Sequence, residues 1–331
     1  MNITKLLIAL GLTACSVQAD EQTLNLDLSH VSVSGLSSGA YMANQFHLAH
    51  SDWVNKVGII AGGPYYCAKG NIKTALEQCV NQAHSPIDNG ALLDQASAYA
   101  KAGKIAPLEH LKNARVWLLH GSQDTRVAAA VSQALYQQYV QLSGAEQVHF
   151  NTELNAAHLF PTLDYGTECQ QSASPYIGAC QFDAAGEMLT FLYGELQARA
   201  STPTGKLLEL DQQRLGGQAA SSLADQGYAY VPASCAEGQP CSLHISFHGC
   251  NQNAQSVGRE YVQHTGLNNW ADSNHMVVLY PQTKNSTLMP LNPQGCWDWW
   301  GYTDGDYATK DGQQIQAVSQ MARALANYSV N

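Results

Sequence analysis

Short runs of apolar, β-prone residues alternate along this sequence with segments that favour helices. Strands are predicted at residues 31–34, 54–61, 115–119, 148–152, 243–247 and 276–280, and outer strands at 207–211 and 228–231. Helices are predicted at residues 40–50, 128–142, 183–196 and 310–327. This alternation predicts a mostly parallel sheet with helices on both faces. No linker or repeat separates the two halves, so we expect them to share one sheet.

The composition limits the kinds of protein this can be. The chain has 331 residues, of which 45% are hydrophobic, and this is enough for one large α/β domain. The 26 acidic residues outnumber the 16 basic ones and give a net charge of -10, which argues against a nucleic-acid surface. No apolar run reaches the ~18 residues that a membrane-spanning helix needs, so no integral span is expected.

The amino terminus has the pattern of a secretory signal. Lys5 precedes an apolar segment at 6–14, and Val17-Gln18-Ala19 offers small residues for cleavage after Ala19. This interpretation assigns residues 1–19 to a signal peptide and 20–331 to a single domain. Alternatively, Leu12-Thr13-Ala14-Cys15 resembles a lipobox, which would make the protein an outer-membrane lipoprotein anchored through Cys15. Both interpretations place the domain outside the cytoplasm, and we expect a secreted monomer.

The cysteine count fits an oxidising compartment. Setting Cys15 aside leaves eight of the nine cysteines, an even number. Proximity along the chain suggests the pairs Cys67–Cys79, Cys169–Cys180 and Cys235–Cys241, and it leaves Cys250 and Cys296 for a long-range pair. A zinc site is a weak alternative, because no CxxC occurs and His244 and His248 fall on a predicted strand. We therefore expect no metal and no cofactor.

A Gly-x-Ser-x-Gly motif, Gly35-Leu36-Ser37-Ser38-Gly39, lies between a predicted strand and a predicted helix. This is the context of a nucleophile elbow, in which glycines permit a sharp turn and the serine hydroxyl projects from the sheet. An ordinary Gly/Ser loop is the alternative. Ser34 and Ser38 are rival nucleophiles, but only Ser37 has glycine two residues away on each side.

An acid and a histidine follow the serine in the chain order of the α/β-hydrolases. Asp124 follows the strand at 115–119 in a His-Gly-x-x-Asp turn, and His158 follows the next strand. Asp164 is a rival acid, but it lies beyond the histidine. In this triad His158 would take the proton of Ser37, and Asp124 would orient and stabilise the imidazolium.

One element has an unusual place in the chain. In most α/β-hydrolases the His-Gly loop of the oxyanion hole precedes the nucleophile, whereas here Phe247-His248-Gly249-Cys250 comes after His158. The predicted fold is therefore a circularly permuted α/β-hydrolase, stabilised by disulfides. Its oxyanion hole would consist of the backbone N–H groups of Ser38 and Cys250.

Together these features resemble a known family. The sequence is similar to the catalytic domain of extracellular poly(3-hydroxybutyrate) depolymerases with the lipase box near the amino terminus. The resemblance covers nearly the whole mature chain and rests on the elbow and on four further motifs: Asn155-Ala-Ala-His158-Leu-Phe-Pro161, Gly227-Tyr-Ala-Tyr-Val-Pro232, Cys241-Ser-Leu-His-Ile-Ser-Phe-His-Gly-Cys250 and Asn292-Pro-Gln-Gly-Cys-Trp-Asp-Trp-Trp300.

The resemblance implies a secreted serine esterase that hydrolyses poly(3-hydroxybutyrate) or its oligomers through an acyl-enzyme. By position it implies the triad Ser37, Asp124 and His158 and the oxyanion amide of Cys250. It also implies that Trp297 contacts the bound ester, with Asn292 as a companion. The alternatives are that Trp297 is a core tryptophan and that Asn292 is an ordinary loop residue. A Cys250–Cys296 bond would hold Trp297 near the oxyanion loop.

The sequence also departs from many members of this family, because it predicts no separate polymer-binding domain. Polymer binding would then depend on Trp297, Trp299, Trp300 and Tyr302, and soluble oligomers or amorphous polymer would be the easier substrates. Two alternatives stay open. One is a feruloyl or acetyl esterase that acts on plant polysaccharides. The other is a surface adhesin on an inactive hydrolase fold, against which the intact triad speaks.

Overall fold

The computed structural model describes residues 23–82 and 85–330. The predicted signal peptide at 1–19 and the alternative lipid attachment at Cys15 lie outside these residues. Within the described part, no helix combines the length and the apolar character needed to cross a bilayer.

Most strands belong to one large twisted sheet. The strands are β1 (Asn25–Leu36), β2 (Val54–Ile60), β3 (Arg115–Leu119), β4 (Val148–Asn151), β5 (Phe160–Thr162), β6 (Thr167–Glu168), β7 (Ile177–Ala179), β8 (Lys206–Asp211), β9 (Gln226–Val231), β10 (Pro240–Phe247) and β11 (Met276–Tyr280). Eight of them form the main sheet in the order β4-β3-β2-β1-β10-β11-β9-β8. The six strands from β4 to β11 are parallel, and β9 joins β11 and β8 in antiparallel pairing.

Helices cover both faces of this sheet. They are α1 (Ser38–Ala49), α2 (Ile72–Glu77), α3 (Asn89–Lys101), α4 (Ala129–Ser143), α5 (Ala184–Tyr193), α6 (Gln212–Gly216), α7 (Ala233–Ala236), α8 (Ala254–Val257), α9 (Glu260–His264), α10 (Leu267–Ser273) and α11 (Gln313–Leu325). The interior strand β11 is buried at all five positions, as its unbroken apolar sequence requires of a strand covered on both sides. The last helix, α11, buries Ile315, Val318, Met321 and Leu325.

The predicted α/β sheet is confirmed, and both halves of the chain contribute to it. The outer positions predicted for residues 207–211 and 228–231 are also correct, because β8 and β9 form one edge. Strand β1 begins six residues before the predicted start. A second, three-stranded sheet in the order β5-β7-β6 was not predicted.

The strand order shows the permutation directly. The elbow strand β1 lies between β2 and β10, and Gly35 pairs with Phe247 at the carboxyl ends of the parallel strands β1 and β10. The His-Gly loop that follows β10 therefore lies beside the elbow in space, although it follows it by about 200 residues in the chain. The fold is a circularly permuted α/β-hydrolase fold.

Four disulfides cross-link the described part of the chain. They join Cys67 to Cys79, Cys169 to Cys180, Cys235 to Cys241 and Cys250 to Cys296, the same four pairs that the sequence suggests. The last of them bridges 46 positions of the chain and ties the loop after β10 to the segment before Trp297.

Candidate active site

Ser37 lies at the sharp turn between β1 and α1. Its backbone has φ 57° and ψ -121°, a conformation that residues with a side chain rarely adopt. The Ser37 N–H donates to the carbonyl oxygen of Ile60 at 3.0 Å, which fixes the turn against the neighbouring strand β2. The Ser37 side chain makes no capping hydrogen bond to α1, so its hydroxyl is available for chemistry.

The two glycines of the motif are required by close backbone contacts. A Cβ on Gly35 would lie 2.1 Å from the carbonyl oxygen of Gly39. A Cβ on Gly39 would lie 2.2 Å from the carbonyl oxygen of Phe247. Glycine at these positions lets the turn close and lets the end of β10 approach the elbow.

Asp124 and His158 come together at the carboxyl ends of β3 and β4. His158 Nδ1 lies 2.7 Å from Asp124 Oδ2. Because an ionised carboxylate only accepts hydrogen bonds, the ring proton lies on Nδ1 and leaves Nε2 free to accept one. The backbone also links the two loops, since the Gln123 N–H donates to the Ala156 carbonyl at 3.0 Å.

The Asp124 carboxyl group is held in its ionised form. Burial opposes ionisation, but the hydrogen bond and charge of His158 and the N–H groups of Val127 and Arg126 outweigh it. The pKa of Asp124 is therefore below its ordinary value. The side chain has no exposed surface, and the imidazole of His158 is almost fully buried.

Ser37 and His158 line the same cavity, which has a volume of about 820 Å³. No hydrogen bond joins the Ser37 hydroxyl to His158 in the described chain. Hydrogen bonds between a nucleophile and its base are often long in free enzymes and tighten when substrate binds. The structure thus brings together all three residues that the sequence singles out, and Asp164, the rival acid, is exposed away from this cavity.

The predicted oxyanion donors lie at the same edge of the cavity. Ser38 is the first residue of α1, where backbone N–H groups have no partner within the helix. In the loop after β10, Gly249 N–H donates to Gln252 Oε1 and Asn251 N–H donates to the Gln294 carbonyl. Within the described residues the Cys250 N–H between them has no acceptor. It is available to an oxyanion.

Asn292 lines the cavity, but its amide is engaged by the protein. Its Nδ2 donates to the carbonyl oxygen of Cys296 at 2.9 Å, and its Oδ1 accepts from the Cys296 N–H at 2.9 Å. A further donation reaches the Tyr302 hydroxyl. Asn292 thus holds the segment that contains Cys296, which is disulfide-bonded to the oxyanion loop. This role differs from the direct substrate contact that the sequence predicts for Asn292.

The expected contact between Trp297 and substrate needs correction. Trp297 has no exposed surface, and its indole packs edge-on against Phe247 and beside His248, behind the cavity wall. Its Nε1 is buried without a hydrogen-bond partner in the described part of the chain. Trp299 and Trp300 line the cavity instead. Sequence position alone could not separate these three indoles, because all of them follow Cys296 within four residues.

Three further residues of the site were not predicted. Tyr41 lines the cavity and stacks on Trp299 with ring centroids 4.1 Å apart, and its place one helical turn after Ser37 was an available signal. Asp298 accepts hydrogen bonds from four backbone N–H groups and one hydroxyl within residues 300–303, so it shapes the cavity wall. The third is Gln252, for which the sequence offers no signal.

In the described residues, no group of three or more His, Cys, Asp or Glu side chains is placed to hold a metal ion.

Comparison with known proteins finds one matching family pattern and two similar enzymes. The sequence pattern of the prolyl oligopeptidase family matches residues 12–179, which include the elbow, Asp124 and His158. A poly(3-hydroxybutyrate) depolymerase of Delftia acidovorans is 40% identical over 309 residues, and the chain spans 92% of its own length but 61% of that relative. A polyhydroxybutyrate depolymerase of Talaromyces funiculosus is 37% identical over 336 residues, with 97% of this chain and 96% of the relative covered.

Two solved structures are also similar. The crystal structure of a PHB depolymerase from Penicillium funiculosum has a TM-score of 0.83 and 36% identity, and covers 91% of this chain and 97% of its own. A PHB depolymerase with a serine-to-alanine substitution, complexed with an R3HB trimer, has a TM-score of 0.84 and 35% identity over 92% of this chain and 98% of its own.

Proposed function

Because the chain belongs to the polyhydroxybutyrate depolymerase family, we propose that it is a serine esterase that hydrolyses poly(3-hydroxybutyrate) or its oligomers. The observation that carries this proposal is the convergence of Ser37, the Asp124–His158 pair and the Cys250 N–H on one cavity. A carboxylic ester is the substrate that this arrangement suits, and a relative with an R3HB trimer bound indicates the class of ester.

In the acylation half-reaction, Ser37 is the nucleophile, His158 is the general base, and two backbone N–H groups stabilise the oxyanion. His158 Nε2 accepts the hydroxyl proton of Ser37 as the serine oxygen attacks the ester carbonyl carbon. The carbonyl oxygen becomes an oxyanion, which accepts hydrogen bonds from the N–H groups of Ser38 and Cys250. Collapse of this intermediate breaks the ester bond, and His158 gives the proton to the departing alkoxide oxygen, which leaves as a hydroxyl group.

Deacylation repeats these steps with water. His158 takes a proton from a water molecule that attacks the acyl-serine, and then returns it to Ser37 as the 3-hydroxyacyl product leaves with a free carboxyl group. Asp124 stays ionised throughout and stabilises the imidazolium in both half-reactions. Its lowered pKa suits this role.

The rim of the cavity supports a polyester as the substrate. Six large apolar side chains are strongly exposed in the described residues, and four of them line this cavity: Ile72, Leu76, Met289 and Leu291. A fifth, Leu288, precedes Met289 on the same loop. Exposed apolar patches of this kind mark binding sites for apolar partners. A polyester chain with methyl branches offers such a surface.

The location that we propose is outside the cytoplasm. The four disulfides among the described residues favour an oxidising compartment, where such bonds persist.

A side-by-side assay tests the proposed substrate. The purified protein would be given polymer film, soluble 3-hydroxybutyrate oligomers, and feruloyl and acetyl esters of plant polysaccharides. We expect release of 3-hydroxybutyrate from oligomers and film, with oligomers the faster. Faster release of ferulic or acetic acid would instead identify an esterase of plant polysaccharides, and no ester hydrolysis at all would refute the enzyme.

A further inference from the structure

Gln252 is a buried polar residue that the proposed mechanism leaves without a role. It lies two residues after Cys250, is only 1% exposed, and lines the cavity. A buried primary amide is stable only when its oxygen and its N–H groups find partners. The partners of Gln252 are all backbone groups on two sides of the site.

On one side, Gln252 fixes the oxyanion loop. Its Oε1 accepts the Gly249 N–H at 2.7 Å, directly before Cys250. Gly249 itself packs on the nucleophile, because a Cβ placed there would lie 3.5 Å from the Cβ of Ser37. The amide oxygen therefore holds the turn that presents the Cys250 N–H next to the reacting serine.

On the other side, Gln252 holds the segment that packs on the histidine loop. Its Nε2 donates to the carbonyl oxygens of Pro175 at 3.0 Å and Tyr176 at 3.1 Å. The Tyr176 carbonyl also accepts the Phe160 N–H at 2.8 Å, two residues after His158. One side chain thus connects the oxyanion loop to the start of β5, which follows the catalytic histidine.

We propose that Gln252 is a positioning residue that aims the Cys250 N–H at the developing oxyanion and keeps that loop in register with His158. This inference rests on the proposed esterase function. This positioning role requires both the oxygen and the nitrogen of the Gln252 amide. The oxygen accepts from the Gly249 N–H, and the nitrogen donates to two backbone carbonyls.

Two variants separate these ends. Gln252→Leu removes the acceptor and the donors, whereas Gln252→Glu keeps an acceptor for Gly249 and loses the two donations. Since loss of a whole oxyanion donor costs about 10²–10³-fold in kcat, a misdirected donor should cost less. We expect kcat for p-nitrophenyl butyrate to fall about 10–100-fold in the Leu variant and at least as much in the Glu variant, because its carboxylate would face the two carbonyl oxygens and repel the developing oxyanion. KM should stay within about threefold, because the oxyanion exists only in the transition state and the intermediate.

The chain offers a matched control in Gln212, which is fully buried and outside the cavity lining. Its Nε2 donates to the carbonyls of Ala224 and Gln282, and its Oε1 accepts the Gln282 N–H. Gln212→Leu removes the same kinds of bonds at a position outside the cavity lining. We expect it to lower the melting temperature like Gln252→Leu but to leave kcat within about twofold.

Inhibition by a boronic acid, which forms a tetrahedral adduct with the serine, gives a second readout. Its Ki should rise in the Gln252 variants by about the factor that kcat/KM falls, a pattern that general loosening would not produce. Unchanged kcat in folded Gln252→Leu, or an equal fall in Gln212→Leu, would overturn the inference. If Gln252→Leu does not fold, kcat and Ki are compared between Gln252→Glu and Gln212→Leu instead, and an unchanged kcat in Gln252→Glu would likewise overturn the inference. An inactive wild-type protein would instead refute the esterase function itself.

Discussion

Asp124 is the residue whose role depends most on charge. Its carboxylate accepts three hydrogen bonds and orients His158. Asp124→Asn keeps the shape, but its amide can pair with the wrong tautomer of the imidazole. We therefore expect kcat on a soluble ester to fall about 10³–10⁴-fold with little change in fold, as measured by steady-state kinetics and circular dichroism.

Asp164→Asn is the matched control, because Asp164 is exposed and is the rival acid in the sequence. It should retain full activity. The assignment fails if Asp164→Asn is the inactive variant and Asp124→Asn remains active.

The structure predicts different outcomes for two neighbouring indoles. Trp297→Phe shortens a buried side chain, so we expect a loss of about 1–2 kcal/mol in the free energy of unfolding and KM within about twofold of wild type. Trp299 lines the cavity and stacks on Tyr41, so Trp299→Ala should raise KM severalfold. Urea unfolding and oligomer kinetics measure both. A large rise in KM for Trp297→Phe at unchanged stability would restore the substrate contact expected from the sequence.

Among the individual site residues, the sequence predicts those with distinctive side-chain chemistry that also occur in a recognisable order along the chain. Ser37, Asp124 and His158 follow strand ends, and the carboxyl ends of parallel strands meet at one edge. Burial of Trp297, by contrast, depends on how residues 296–303 curl around Asp298. That curl arises from hydrogen bonds between this carboxylate and its own loop, which no residue pattern predicted.

Among the connecting elements, the Cys250–Cys296 disulfide has the most direct bearing on activity. It closes a span of 46 positions, for which chain entropy predicts about 4 kcal/mol of stabilisation. It also ties the oxyanion loop to the segment held by Asn292. Replacing both cysteines with serine should lower stability and reduce kcat at least tenfold, as judged by thermal melts and ester hydrolysis.

The Cys235–Cys241 disulfide is the control for that experiment. It spans six positions, for which chain entropy predicts about 2 kcal/mol of stabilisation, and neither cysteine lines the cavity. Its double serine variant should melt earlier but hydrolyse esters at the wild-type rate. Equal losses of kcat in both double variants would show that the bridge to the oxyanion loop has no special role.

The main strands and helices were predictable because they carry either an unbroken apolar run, as in β3, or a helical period of apolar residues, as in α11. Strand β3 was predicted with its observed bounds, and α11 lies within the predicted helix. Strands β5, β6 and β7 have only two or three residues each, too few to show alternation. Their position is set by the Cys169–Cys180 bridge and by loop hydrogen bonds, and these are long-range features of the folded chain.

For the molecule as a whole, buried histidines make stability depend on pH. Burial lowers the pKa of His47 and His244 to about 3 and those of His50 and His248 to about 4. Between about pH 6.5 and pH 4 the unfolded chain binds these protons and the folded chain does not. Each histidine therefore contributes stability that is present above pH 6.5 and lost as the pH falls, by up to about 1.4 kcal/mol per pH unit.

Urea unfolding at pH 7 and pH 5 measures this effect. We expect a clearly lower free energy of unfolding at pH 5, and a shallower pH dependence in His47→Gln, which removes one of these groups. Equal free energies at the two pH values would show that the buried histidines already carry their protons in the folded protein.

The permuted order of the sheet places residues that are distant in sequence next to each other in the active site. It brings residues from both halves of the chain, Ser37 and Cys250, to one reaction centre, and the most direct test asks whether Ser37 is the nucleophile there. The protein would be treated with a fluorophosphonate and its peptides mapped by mass spectrometry. We predict one adduct, on Ser37, that forms much more slowly in Asp124→Asn. An adduct on Ser34 or Ser38, or no adduct in protein that hydrolyses esters, would contradict the proposed active site.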